Sequence, residues 1–359
     1  MHRRVKGGLY AAGGLAAAGA LTACAWGAAG YAYARTRRPF LSEVAPELRS
    51  PALYWPGHLL PERGFIWLSR LINLVNPDRA YSADYPVDLD IVAGKSPEGH
   101  PFRARRLTPH AGRDTLKPAM LWTHGGGHLI GSAGFYDPQN ARIAAELGMV
   151  VYAAEYRKST EAPFPADLDD CYAVLRYMQD NARDLGIDPE RIAVCGDSAG
   201  GGLAAGVVQR AHDAGHPVAF QGLVYPMIDH RTGQVGDVKA GSMGQFIWSP
   251  QSNRGAWAQY LGADHIARGK QGRLPQYASP ARREDLKGLP TTWIGVGSID
   301  LFHDESVAFA RRLAEAGVPV DLEVYEGAYH GFEHIKPKAP QSRKLLTDFI
   351  AAVRTGVGA

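Results

Sequence analysis

From Val87 onward the chain alternates short apolar runs with longer helical patterns, and this alternation constrains the fold more than any other feature. Val87, Leu89 and Ile91 alternate with Asp88 and Asp90, the period of a half-exposed strand, and residues 102–107 read as its hairpin partner. Strands are expected at 119–123, 150–154, 191–195, 220–225, 291–296 and 320–325. Helices are expected at 137–147, 166–184, 199–214, 305–316 and 342–353. Strands that alternate with helices of this length build a mostly parallel sheet covered on both faces. In such sheets ligands bind beyond the carboxyl ends of the strands.

One of those ends carries Gly196-Asp197-Ser198-Ala199-Gly200-Gly201, a G-x-S-x-G pattern between an apolar strand and a small-residue helix. A serine on a sharp strand-to-helix turn sits in strained backbone and is lifted above the sheet. The flanking glycines let the strand and helix approach without clashing. Another strand end carries His124-Gly125-Gly126-Gly127. Consecutive glycines allow backbone N–H groups to point into a cavity, as an oxyanion on an ester carbonyl requires. The candidate donors are Gly126, Gly127 and Ala199, with His124 ordering the loop. Two later strands lead to Asp300 and His330. The order Ser198, Asp300, His330 is that of an α/β-hydrolase triad. His330 would take the proton of Ser198, and Asp300 would orient His330. His128, His303 and His334 are the rival histidines, and none directly follows a strand. Asp304, just before an amphipathic run, is expected to be a helix N-cap.

Composition excludes other classes. The 359 residues are 45% hydrophobic and 21% charged, enough for one large α/β domain with insertions. The net charge of +3 comes with no basic, aromatic-interleaved patch, which argues against a nucleic-acid partner. Cys24, Cys171 and Cys195 form no disulfide framework or zinc spacing, and the latter two read as buried thiols. Neither cofactor nor metal is called for.

The first 38 residues read as lying outside the fold. His2, Arg3, Arg4 and Lys6 precede a stretch to Ala34 without an acidic residue, mostly Ala, Gly, Leu and Tyr. This is a signal peptide or a membrane anchor. Leu21-Thr22-Ala23-Cys24 resembles a lipoprotein signal, yet the apolar run is long enough to span a bilayer uncleaved. Each reading places the protein in a bacterial cell envelope, anchored or secreted. Residues 39–83 crowd Phe65, Ile66, Trp67, Leu68, Leu71, Ile72, Leu74 and Val75 into one helical span, a lid packed on the body. Residues 229–275, Gly-rich and carrying Phe246, Trp248, Trp257 and Tyr260, read as an insertion.

These motifs, with Glu155-Tyr156-Arg157, Ala162-Pro163-Phe164-Pro165, Tyr277-Ala278-Ser279-Pro280 and His330-Gly331-Phe332, resemble the hormone-sensitive lipase-like branch of α/β-hydrolases, the bacterial family IV carboxylesterases. The resemblance covers Asp84 to the C-terminus. It implies a catalytic domain of residues 84–228 and 276–359, a helical cap from 39–83 and 229–275, and hydrolysis of a small-molecule ester of short to medium acyl chain. Lys158-Ser159-Thr160 and Leu301 depart from the family pattern.

Overall fold

The computed structural model describes residues 32–54, 62–75, 84–110, 116–236, 243–262 and 274–359. An eight-stranded sheet runs in the order β1-β2-β4-β3-β5-β6-β7-β8. Its strands are β1 (Val87–Lys95), β2 (Pro101–Pro109), β3 (Lys117–Thr123), β4 (Val150–Ala154), β5 (Ile187–Asp197), β6 (Phe220–Val224), β7 (Thr291–Gly297) and β8 (Val320–Tyr325). β1 and β2 form the antiparallel hairpin, β2 also pairs antiparallel with β4, and the remaining pairs are parallel. β5 starts earlier than its apolar run because Ile187 pairs with Lys117 across a register shift.

Period-two alternation sorts the side chains of the central strands into two cores. Leu121 and Val194 face α4 (Ala166–Asp180), α5 (Ser198–Asp213) and the helix His303–Glu315. Met120, Trp122, Ala193 and Cys195 face α3 (Asp137–Leu147) and the C-terminal helix Pro340–Val357. Every residue of β3 is buried, so it reads as a continuous apolar run and not an alternating one. Cys171 and Cys195 are buried free thiols. The register sets Thr123 opposite Gly196, Gly196 opposite Leu223, and Gly297 opposite Tyr325. The carboxyl ends of β3, β5, β7 and β8 are therefore level, and the loops that leave them meet above one edge.

The amino-terminal part corrects the sequence reading at one point. Residues 1–31, including Cys24, lie outside the described residues. Residues 32–41 form a helix, α1, and Arg37 on it is buried. Its guanidinium donates to the side chain and the carbonyl of Gln245 and lies over the rings of Phe40 and Phe246. An arginine flanking an apolar stretch looks like a membrane boundary, but here it is a docking group. The strap that follows is pinned to the end of the chain. Ala45 N–H donates to the Gly327 carbonyl, and the Tyr329 hydroxyl donates to the Leu48 carbonyl. Val44, Leu48 and Leu53 are buried in the core on the α3 side. Among the described residues no helix is long and apolar enough to cross a membrane.

A chain starting at residue 32 retains α1. One starting at residue 42 loses the hydrogen bonds of a buried charged group, and its midpoint should fall by a few degrees, on the order expected for such a loss. Calorimetry of the two truncations checks this; equal midpoints would mean that α1 contributes nothing to the body.

α2 (Glu62–Val75) packs on α6 (Pro250–Leu261). Asn73 on α2 donates to the Leu129 carbonyl, two residues beyond the glycine run. α2 is less covered than a packed lid helix would be: Trp67 is 66% and Leu71 42% exposed.

Candidate active site

β5 ends at Asp197, and Ser198 opens α5 with φ of 54°. A non-glycine residue in the left-handed region costs about 1–3 kcal/mol and persists only where its surroundings enforce it. The surroundings here are tight. A Cβ on Gly200 would lie 2.1 Å from the Thr123 carbonyl oxygen, and one on Gly196 would lie 2.4 Å from Thr123 Oγ1. Strand and helix touch backbone to backbone, so both flanking positions must be glycine.

The Ser198 hydroxyl lies 2.9 Å from His330 Nε2, and His330 Nδ1 lies 2.9 Å from Asp300 Oδ2. An ionised carboxylate only accepts, so Nδ1 carries the proton. Nε2 then presents a lone pair to the serine hydroxyl. The other oxygen of Asp300, which is fully buried, accepts from Phe302 N–H, so the carboxylate is held from both sides. The rings of Tyr225, Phe302 and Trp248 surround His330 at 4.7, 5.1 and 6.3 Å. The structure thus brings together Ser198, Asp300 and His330.

Asp304 does not cap its helix. The N-cap is Phe302, and Asp304 lies in the first turn with Oδ1 2.9 Å from His303 Nδ1. The helix starts two residues earlier than its apolar pattern because Asp300 itself takes up the Phe302 N–H.

The glycine loop comes to the same place. Gly126 has φ of 126°, and a Cβ there would lie 2.0 Å from the Ile130 carbonyl oxygen. No described residue accepts from the N–H of Gly126 or Gly127. Ala199 is in the first turn of α5, where helical N–H groups have no partner within the helix. Trp248 closes over Gly127: a Cβ there would meet its ring at 2.2 Å. His124 orders the loop. Its Nδ1 donates to the Gly125 carbonyl at 2.8 Å, its ring stacks on Tyr156, and burial pushes its pKa down to about 4, so it is neutral.

The sequence reading missed Asp197. Its carboxylate accepts from Gly125 N–H at 2.8 Å and from the Tyr136 hydroxyl at 2.6 Å, tying the glycine loop to the residue before Ser198. It missed Glu305 as well, a buried carboxyl that accepts from Ile228 and Asp229 N–H and is raised well above its usual range by burial. Lys158-Ser159-Thr160 departs from the family pattern but has a local use. Ser159 donates through both N–H and Oγ to the carbonyl of His128, the residue after the glycines. Among the described residues no cluster of His, Cys, Asp or Glu could hold a metal ion.

His334 is not the partner of the serine, whose hydroxyl meets His330. Its Nε2 lies 3.4 Å from Glu333 and 3.7 Å from Asp197. Burial lowers its pKa, but the two carboxylates outweigh that and raise it to about 9. The folded pKa exceeds the unfolded value near 6.5, so this contact stabilises fully below about pH 6.5 and is lost as pH rises through about 9. The midpoint difference between wild type and His334→Gln should shrink across that window. A difference that stays constant from pH 6 to about pH 10 would refute the linkage. The ring is 29% exposed, so screening keeps the effect modest.

A family model described as the alpha/beta hydrolase fold matches residues 120–334. The chain is similar to carboxylesterase NlhH of Mycobacterium tuberculosis, 32% identical over 260 residues that cover 70% of this chain and 77% of that one. It is similar to an ethyl acetate hydrolase of Pseudomonas putida, 30% identical over 70% of this chain and 78% of that one. Among solved structures, a bacterial heroin esterase superposes with a TM-score of 0.78 and 35% identity, over 88% of this chain and 98% of that one.

Proposed function

The chain belongs to the α/β-hydrolase family, in its hormone-sensitive lipase-like branch, and from that premise we propose that it is a carboxylesterase working through Ser198, His330 and Asp300. The single observation that carries this reading is the unbroken Ser198–His330–Asp300 hydrogen-bond chain on a strained turn. The substrate is a small-molecule ester. Its carbonyl oxygen lies toward the N–H groups of Gly126, Gly127 and Ala199, which stabilise the negative charge that develops there. Ser198 Oγ attacks the carbonyl carbon while its proton passes to His330 Nε2, and Asp300 supports the imidazolium. Collapse of the tetrahedral intermediate breaks the bond to the alcohol, which leaves with the proton from His330. An acyl-enzyme remains, and water, deprotonated by the same histidine, cleaves it to the free acid.

Within the segments 39–83 and 229–275, α2 and α6 form the cap, and residues 44–53 belong to the body. The packing of α2 on α6 and the Asn73 contact to the glycine loop support this, since they join the two segments beside the site. Short to medium acyl chains fit best, because Trp248 lies against Gly127 and limits the space next to the oxyanion donors. The anchor read within residues 1–38 tethers the protein to the cell envelope. Full-length protein should then fractionate with membranes, with Cys24→Ser releasing a lipoprotein but not an uncleaved helix. A wholly soluble full-length protein would remove the tether from the reading.

A p-nitrophenyl ester series tests the chemistry. The expected result is turnover, with a burst of about one p-nitrophenolate per chain on those esters whose acyl-enzyme is cleaved by water more slowly than it forms. Absence of turnover on the whole series by folded protein would sink the proposal.

A further inference from the structure

On the α3 side of the sheet, away from α5, a cavity of about 200 Å³ lies beneath the C-terminal helix. Most of its wall is apolar, from Trp122, Val224, Leu345 and Phe349. Asp197, His334 and Glu333 cluster at one polar end, and Ser342 also lines the cavity. Two oxygens of the lining are buried without a hydrogen-bond partner among the described residues, Ser342 Oγ and Glu333 Oε2. Ser342 is only 3% exposed. The other oxygen of Glu333 is already used by the Tyr225 hydroxyl, and both oxygens of Asp197 are engaged by Gly125 and Tyr136.

Unmade hydrogen bonds of this kind are costly, and what would satisfy them follows from the inventory. Glu333 Oε2 only accepts, so the complementary group must donate. Two carboxylates facing one imidazolium leave the polar end with excess negative charge, so an anion is repelled and a cation attracted. The aromatic and aliphatic wall beyond takes hydrocarbon. We propose that this cavity is a second binding site, separate from the Ser198 centre, for a small primary amine bearing an apolar arm. The ammonium donates to Glu333 Oε2 and Ser342 Oγ, and the arm lies along Leu345 and Phe349. The site shares Asp197 with the glycine loop, so its occupant touches the wall from which that loop hangs.

The test is a calorimetric titration of the full-length Ser198→Ala protein, in which no ester chemistry intervenes, with benzylammonium, benzyl alcohol and benzoate. Benzylammonium should bind saturably at one site, and benzoate at least about tenfold more weakly, the scale of a lost charge-assisted hydrogen bond. Glu333→Gln should weaken benzylammonium about tenfold while leaving benzyl alcohol nearly unchanged. Leu345→Trp should fill the cavity and abolish binding. Because that substitution can disturb the core, Ser342→Ala, which removes one orphan oxygen and adds no atom to the wall, serves as the second cavity variant and should also weaken the amine. No saturation up to the solubility of benzylammonium, equal binding of benzoate, or affinity unmoved by Glu333→Gln and Ser342→Ala would each overturn the proposal.

Discussion

Ser198→Ala should reduce ester hydrolysis by about 10⁶ in kcat, the scale seen when a triad nucleophile is lost. The residue contributes one hydroxyl whose neighbour is the imidazole of His330. Alanine keeps the Cβ and the same strained φ, so the thermal midpoint should be almost unmoved. The N–H groups of Gly126, Gly127 and Ala199 remain in place, so a small residual rate above that in water should survive. The comparison of kcat and midpoint separates chemistry from folding. Near wild-type turnover in the folded variant would reject Ser198 as the nucleophile and with it the acyl-enzyme.

Asp300→Asn should lower kcat by up to about 10⁴ with the protein still folded. An amide at this position can donate to His330 Nδ1 and so favours the wrong tautomer, with the proton on Nε2 facing the serine. The amide oxygen can still accept from Phe302 N–H, so the start of the helix is preserved. The control is Asp304→Ala, four residues on and 38% exposed. Since Asp304 is a first-turn acid and not a cap, its loss should cost about 0.3–1 kcal/mol through the helix dipole, with turnover nearly intact. If Asp304→Ala were the variant that lost orders of magnitude, the acid of the triad would be misassigned.

The parts of this molecule that were legible in sequence are those governed by local pattern. Strands beside glycine turns, and a serine, an aspartate and a histidine each just beyond such a strand, announce themselves because the sheet brings all strand ends to one edge. α6 was passed over although its signals were present. Ser249 caps it by accepting from Ser252 N–H, and Pro250 opens it. Gly255 and an even mixture of polar and apolar residues blurred its helical period. Asp197 was hidden inside the serine motif because its partners, Gly125 and Tyr136, are more than sixty residues away. The docking of Arg37 was not legible for the same reason: its partner Gln245 is 208 residues downstream, and nothing near it in the chain betrays a docked guanidinium.

The strap has a further consequence for the order of events during synthesis. Leu48 and Tyr329 are 281 residues apart, and the residue after Tyr329 is the catalytic histidine of the proposed triad. Residues 44–53 are among the first of the body to leave the ribosome, yet their partners are among the last. Closing so long a loop is cheap at equilibrium, since each doubling of its length adds only about 0.6 kcal/mol. It is slow in time, because loop-closure entropy is paid before so distant a contact rewards it. The two hydrogen bonds of the strap must therefore wait while some three hundred residues are made, on the order of 15–60 s at typical elongation rates. The histidine loop gains its clasp only when the two ends of the body meet.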